Sequence, residues 1–587
     1  AKTPVVIGSA AALGVAGGLV AGRKGGNAQK ERANEYIESG QLKLDSKDFQ
    51  GSIDDYSQAI AFNPLNAVAY YKRAKAKDSL GDKKEAIEDY NKATEINPEY
   101  AHAYNNRGVV KDYLGDFKSA IDDYSKAIEI DRQYATAYSN RGTTKGKLED
   151  YQGAIADFSK AIEIDPKSIE ALINLGITKN LLDDNQGAIQ AFSRAIEANP
   201  QNLIAYNKRG FVKEKSKDYQ GAIQDYTKAI NINPKHSPAY VNRGFAKLQQ
   251  KDYQGAITDF DNAIAINPQL SDAYIKRGLA KQELNYYQEA IDDYSKAIEI
   301  NPKIDNPYYL RGSTKYRLGD LPGAIDDFDK SLELEPQHAY TYARRGFVKG
   351  KSGDPQGAIF DYTKAIEINP KFVASYNSRG GVKSTLGDYQ GAISDFCKAI
   401  ELDPYNSELY LNRARVKNHL VDYEGAIADY SKTLELGHSH PNLIYFERAM
   451  ANRLSGQFKD SIEDATKVLE FDPSSDLAFH NRAIAKESLG NYEDAVVDYN
   501  NALRLNPSLI SAYLGRGAAK SKLGDQVGSI IDMTEVIERD TEQILSALAY
   551  YNRGRSKLQI GDYNGSVHDL DHSININPKL ACAYNTR

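Results

Sequence analysis

The stretch Ala101–Tyr134 reads AHAYNNRGVVKDYLGDFKSAIDDYSKAIEIDRQY, and the next, Ala135–Ser168, reads ATAYSNRGTTKGKLEDYQGAIADFSKAIEIDPKS. Tyr, Arg-Gly, Lys, Ala, Tyr or Phe, Ala and usually Pro return at fixed offsets. This spacing of 34 residues runs almost unbroken from Ala33 to Leu580. A period of this length marks stacked supersecondary units, each burying its apolar face only against its neighbours. With Ala101 as position 1, Tyr104, Gly108 and Lys111 fall on a first helix that ends at Leu114-Gly115-Asp116. Gly115 suits the left-handed stop and Asp116 the N-cap of a second helix bearing Ala120, Tyr124 and Ala127. Asn-Pro or Asp-Pro, as at Asn97-Pro98 and Asp165-Pro166, disfavours further helix. Small residues at Gly108, Ala120 and Ala127 let the two helices lie close.

Composition narrows the functional classes. Lys plus Arg is 74 and Asp plus Glu 80, a net charge of −6, so no basic footprint for nucleic acid exists. The two cysteines, Cys397 and Cys582, stand more than five repeats apart and form no disulfide framework. No nucleophile elbow, phosphate loop, Rossmann fingerprint or HExxH helix is present, so no enzyme, cofactor or metal is expected. His438-Ser439-His440 reads as a polar connector, and His568 with His572 as a solvated helical face.

Six pieces follow from the pattern. Residues 1–22 are a candidate transmembrane anchor, because Thr3 to Gly22 carries no charge over about the 20 residues a helix needs to cross a bilayer. A secretory signal and a soluble Gly/Ala-rich tail are the competing readings. Arg23, Lys24, Lys30 and Arg32 follow, which places a single-pass chain with its repeats on the cytoplasmic side. Residues 23–32 read as a linker, and 33–440 as repeats 1–12. A one-residue slip at Pro441 leads into repeats 13–15 (441–546), and a three-residue slip, Ile544 to Ser546, precedes repeat 16 (547–580). Residues 581–587 open another first helix without a capping helix, so the natural chain continues or this end pairs with something.

The aromatic, Leu-Gly, Ala, aromatic, Ala, Pro pattern resembles the tetratricopeptide repeat over Ala33 to Leu580. The resemblance implies an all-α, right-handed superhelical solenoid of about sixteen helical hairpins, preceded by the candidate transmembrane helix. The departures are systematic. Tyr70, Tyr138, Tyr240 and Tyr376 stand where Trp is usual, Arg73, Arg107, Arg141, Arg209 and Arg243 where Leu is, and Lys77, Lys111, Lys145 and Lys213 where a second Tyr is. This dialect resembles bacterial tetratricopeptide proteins common in cyanobacteria. A charge between packed helices needs a partner, and Asp89, Asp123, Asp157, Asp225 and Asp259 are the candidates. In the fifth repeat Leu175 replaces Arg and Ala191 replaces Asp together, which points to a pair within each repeat. The first repeat, with Ser39 and Asp55, leaves pairing of Asp55 with Arg73 open.

The resemblance also implies that first helices line a concave face, with positions 2, 5, 6, 9, 12 and 13 touching ligands. Position 5 is never Lys, so the carboxylate clamp of chaperone-binding members is absent. Position 6 carries Asn106, Asn140 and Asn174, then Asn242, Asn412, Asn481 and Asn552. This row resembles the asparagine ladder of the O-linked N-acetylglucosamine transferase superhelix, where amides grip a peptide backbone; tolerated exposed asparagines are the alternative. Ile173, Ile177, Phe211, Val241, Phe245, Ile275 and Leu279 fall at positions 5 and 9 of four consecutive repeats and form an apolar strip. Such a strip marks a partner-binding groove if exposed; burial between adjacent first helices is the alternative.

The expected function is a non-enzymatic scaffold or assembly factor, tethered to a membrane through residues 3–22. It binds protein or peptide partners, and the dialect suggests a photosynthetic membrane complex. A soluble or periplasmic regulatory subunit of a separate enzyme, or a protein that self-associates end to end, are the alternatives.

Overall fold

The computed structural model describes residues 21–587, and among them thirty-three helices follow one another with no strand. The first thirty-two pair into sixteen antiparallel hairpins, and Ala581–Thr586 opens a further first helix. The chain forms two units, the first ending at Ile300 and the second beginning at Asn301. Each is an all-helical solenoid of the same hairpin.

The seventh repeat shows how the hairpin closes. Its first helix, Ser237–Gln249, gives way at Lys251 (φ 64°) to a second, Tyr253–Ile266. The Asp252 carboxylate accepts from the Gly255 N–H at 3.0 Å and satisfies one of the orphan donors at the new helix start. The left-handed residue is Gly in other repeats (Gly115, φ 85°) but also Glu149, Asn285 and, against β-branched preference, Val421 at φ 62°. Ala256, Phe260 and Ala263 of the second helix are fully buried. A Cβ on Gly244 would stand 2.8 Å from the Phe260 ring, so this glycine sets how closely the helices approach.

Both register slips have a local cause. Before Pro441 the helix Tyr423–Glu435 ends early and Gly437 turns at φ 74°. Before Ser546 the Asp540 carboxylate accepts from the Leu545 N–H (2.6 Å), the Ser546 N–H (2.7 Å) and the Ser546 hydroxyl (2.8 Å). Burial works against that charge, but these hydrogen bonds outweigh it and hold the carboxyl below its ordinary range.

The membrane placement needs correction. The candidate anchor, residues 3–22, lies outside the described residues apart from its last two. Among the described residues no helix is long and apolar enough to cross a membrane. The first, Ala21–Asp45, takes in the segment 23–32 read as a linker and carries charges along its length, which a hydrocarbon layer does not accept. A single-pass protein with its repeats on the cytoplasmic side is therefore not supported.

Candidate partner-binding face

The charged columns turn inward on the framework. In the seventh repeat Arg243 donates through Nε and Nη2 to both oxygens of Asp259 (2.9 and 2.6 Å), and Lys247 Nζ lies 2.8 Å from the same carboxylate. Asp259 is 1 % exposed, and the Arg243 guanidinium lies 5.6 Å from the Tyr240 ring centroid. The same Arg–Asp fork recurs at Arg73–Asp89, Arg107–Asp123 and on to Arg553–Asp569. A bidentate fork plus an ammonium leaves the buried carboxylate with its charge compensated.

The two departures resolve as well. In the fifth repeat Leu175 and Ala191 are buried together, and Lys179 turns to Asp184 at 3.2 Å. In the first, Asp55 pairs with Lys43 (2.7 Å) and accepts from the Ser39 hydroxyl (2.6 Å), so Arg73 is not its partner.

One bond escaped sequence reasoning. The third arginine nitrogen reaches back to the preceding repeat: Arg73 Nη1 to Ser57 Oγ at 3.0 Å, Arg243 Nη1 to Thr227 Oγ1 at 3.0 Å, Arg516 Nη1 to Asn500 Oδ1 at 2.7 Å. Each acceptor directly follows the position of the second aromatic. That column of small polar residues was the available signal. One guanidinium thus closes its own hairpin and staples it to the previous one.

The asparagine row is also tied between repeats. Asn140 Nδ2 donates to Asn105 Oδ1 (3.0 Å), Asn242 to Asn207 (3.2 Å) and Asn412 to Asn377 (3.1 Å). Asn106 donates to the Tyr71 hydroxyl (3.1 Å) and Asn174 to Thr143 Oγ1 (3.3 Å). An amide has a second N–H and a carbonyl to offer, so the row retains capacity while serving as an inter-repeat link. Asn481 is buried and Asn552 half-buried.

The apolar strip divides by position. At position 5, Val241 and Ile275 are buried, Val241 within the core around Phe260, and Ile173 packs at the edge of the core. At position 9, Ile177, Phe245 and Leu279 are half-buried and Phe211 is 46 % exposed. Lys276 Nζ lies 5.3 Å from the Phe245 ring centroid. The exposed apolar surface is therefore the position-9 row, while position 5 belongs largely to packing.

Two half-buried glutamates on the first helices are held by the second aromatics. Tyr226 donates to Glu214 (3.0 Å) and Tyr499 to Glu487 (2.7 Å), and burial pushes both carboxyls up. Burial, with the nearby Arg453 charge, pushes His480 down to about 4. His438 and His440 stand with ring centroids 6.0 Å apart, His438 facing Glu408 at 3.2 Å, and His572 Nδ1 lies 3.0 Å from the His568 carbonyl. Among the described residues no group of three or more His, Cys, Asp or Glu side chains is placed to hold a metal ion.

Family models match along the chain. One described as a TPR repeat matches residues 79–111, 283–319 and 487–524. Two described as the tetratricopeptide repeat match 101–134 and 135–168, and 169–202, 203–236, 237–270, 306–338, 339–372, 373–406 and 547–580. No curated protein matches. Among solved structures the chain is similar to YrrB, described as a TPR protein with an unusual peptide-binding site (26% identity, 32% of this chain and 96% of that one, TM-score 0.29). It is also similar to yeast Tom70 (19%, 75% and 100%, TM-score 0.32) and to a tetratricopeptide repeat protein from Parabacteroides merdae (22%, 43% and 99%, TM-score 0.33).

Proposed function

We propose that this chain, which belongs to the tetratricopeptide repeat family, is a non-enzymatic interaction scaffold whose first-helix face takes peptide or protein partners. The observation that carries the reading is the position-9 row. Ile177, Phe211, Phe245 and Leu279 follow one another in four repeats and none is buried, although Thr143, Ser313 and Gly381 show that the hairpin needs no apolar residue there. Water-facing apolar side chains in a continuous row lower free energy when a partner covers them. The framework charges are consumed internally, which leaves the varying first-helix positions to choose the partner.

A photo-crosslinking residue in place of Phe211, in the full chain in cells, tests this reading against the same residue in place of Val497 on a second helix. The expected result is a discrete partner crosslinked from position 211, lost when Phe245→Ala is added. Identical crosslinking from both positions, or none specific to 211, refutes it.

A further inference from the structure

Inside the second unit the repeat breaks its own rule at two neighbouring glycines. Position 12 of the tenth repeat is Gly350, where Glu214 and Tyr316 stand in other repeats. Position 9 of the eleventh is Gly381, where Phe211, Phe245 and Phe347 stand in others. Their missing side chains leave a cavity of about 310 Å³, lined by Phe347, Pro355, Tyr362 and Val382 with Ser378 and Lys351. This is at the low end for ligand pockets, roughly 300–1,000 Å³. A Cβ on Gly381 would meet no atom within 4 Å, so the space is open rather than a packing gap.

The first helices at the cavity carry charge of one sign. The first helices Asn306–Arg317, Ala339–Lys351 and Val373–Thr385 contain no Asp or Glu. Their framework cations are neutralised from the second helices: Arg311 and Lys315 by Asp327, Arg345 and Lys349 by Asp361, Arg379 and Lys383 by Asp395. Arg344 and Lys351 are additional to that framework and have no ion-pair partner among the described residues. Lys351 Nζ lies 5.9 Å from the Phe347 ring centroid at the cavity wall. Burial pushes the Tyr362 hydroxyl up, against the Ser378 hydrogen bond and with Asp361 adding to it, while the Arg344 charge pulls it the other way. An apolar hole beneath uncompensated cations complements an apolar side chain flanked by carboxylates.

We propose that this cavity is a specificity pocket for an extended acidic peptide segment, seating one Leu- or Phe-sized side chain between Phe347 and Tyr362 with neighbouring carboxylates on Lys351 and Arg344. The proposal rests on the scaffold reading above and adds a partner chemistry and a place within the second unit. It is tested with the full chain and fluorescein-labelled peptides by anisotropy. The probes are a short Asp/Glu-rich peptide with one central Leu, the same peptide with Ser for Leu, and one with Lys for every acid.

The expected result is saturable binding of the first peptide only. Gly381→Leu, whose Cβ meets no atom within 4 Å and whose side chain takes up cavity space, should weaken it about tenfold, as for the loss of one buried apolar side chain. Lys351→Glu should weaken it severalfold and flatten its salt dependence. Circular dichroism of Gly381→Leu should match the parent. Equal binding of the Leu and Ser peptides, preference for the Lys peptide, no binding at all, or indifference to Gly381→Leu each overturns the pocket. Those failures are separable from failure of the scaffold reading, which is judged by crosslinking from position 211 in the other unit.

Discussion

At the scale of single residues, the Arg–Asp–Lys triad is the determinant that repays closest reading. Removing one member leaves a buried carboxylate short of compensation, which costs roughly 3–5 kcal/mol for a broken buried pair. Arg243→Leu should therefore lower the opening free energy of the helices Ser237–Gln249 and Tyr253–Ile266 by about 3 kcal/mol, Lys247 still serving Asp259. The double variant Arg243→Leu with Asp259→Ala reproduces what Leu175 and Ala191 show naturally and should cost less than the single one. Lys247 is then free to turn to Asp252, as Lys179 turns to Asp184. Hydrogen exchange of these amides in the full chain measures both, and equal costs would refute the coupling.

His480 gives a pH signature at the same scale. Burial pushes it down to about 4 from its ordinary 6.5, with Arg453 adding to the effect. Among the described residues its Nδ1 has no hydrogen-bond partner, and Nε2 lies 3.2 Å from the Ser511 hydroxyl. The unfolded chain takes up the proton before the folded one does. Stability is thus unaffected above about pH 6.5 and falls as pH drops toward 4, by about 2–3 kcal/mol over that window. His480→Leu should remove this slope from the exchange of the surrounding amides, and an unchanged slope would assign it to carboxylates instead.

At the scale of the helical hairpin, the contact between the two helices is governed by the residue after the framework arginine. Gly244 sits where a Cβ would be 2.8 Å from Phe260, yet Ala74, Ala414 and Ala483 occupy the same position opposite Tyr90, Tyr430 and Tyr499. A shift of a few tenths of an ångström accommodates one methyl, and alanine favours helix over glycine by about 1 kcal/mol. Gly244→Ala should therefore be close to neutral. Gly244→Val should cost about 1–3 kcal/mol by overpacking. Exchange of the Tyr253–Ile266 amides distinguishes the two, and a neutral valine would show that Phe260 can move aside.

At the scale of the whole molecule, hairpins joined to their neighbours should behave as a one-dimensional array. Stability is then a sum of hairpin and nearest-neighbour terms, so damage stays local. Thr227→Val removes the acceptor of Arg243 Nη1 without touching either hairpin's own triad. It should loosen the sixth and seventh repeats by about 1 kcal/mol, a typical net hydrogen bond, and leave repeats three or more away unchanged in exchange. Loss of protection throughout the chain would mean that folding is far more cooperative than a stacked array allows.

The period of Ala33 to Leu580 was enough to predict the hairpin, about sixteen repeats, the Asp caps and an Arg–Asp pair within a repeat, leaving Asp55 open, because each depends on residues within one repeat. Leu175 with Ala191 even exposed the pair, since a buried charge and its partner must be lost together. What the sequence could not settle is what lies between repeats. The reach of Arg243 to Thr227, the tie of Asn140 to Asn105, the burial of Val241 and Ile275 beside an exposed Phe211, and the hollow at Gly350 and Gly381 all depend on how one hairpin seats on the next. The single-pass placement is corrected on a different ground: among the described residues no helix is long and apolar enough to cross a membrane, and the apolar run on which the expectation rested lies outside them but for its last two residues. Local periodicity encodes contacts close along the chain, and only the packed structure decides which varying side chains remain for a partner.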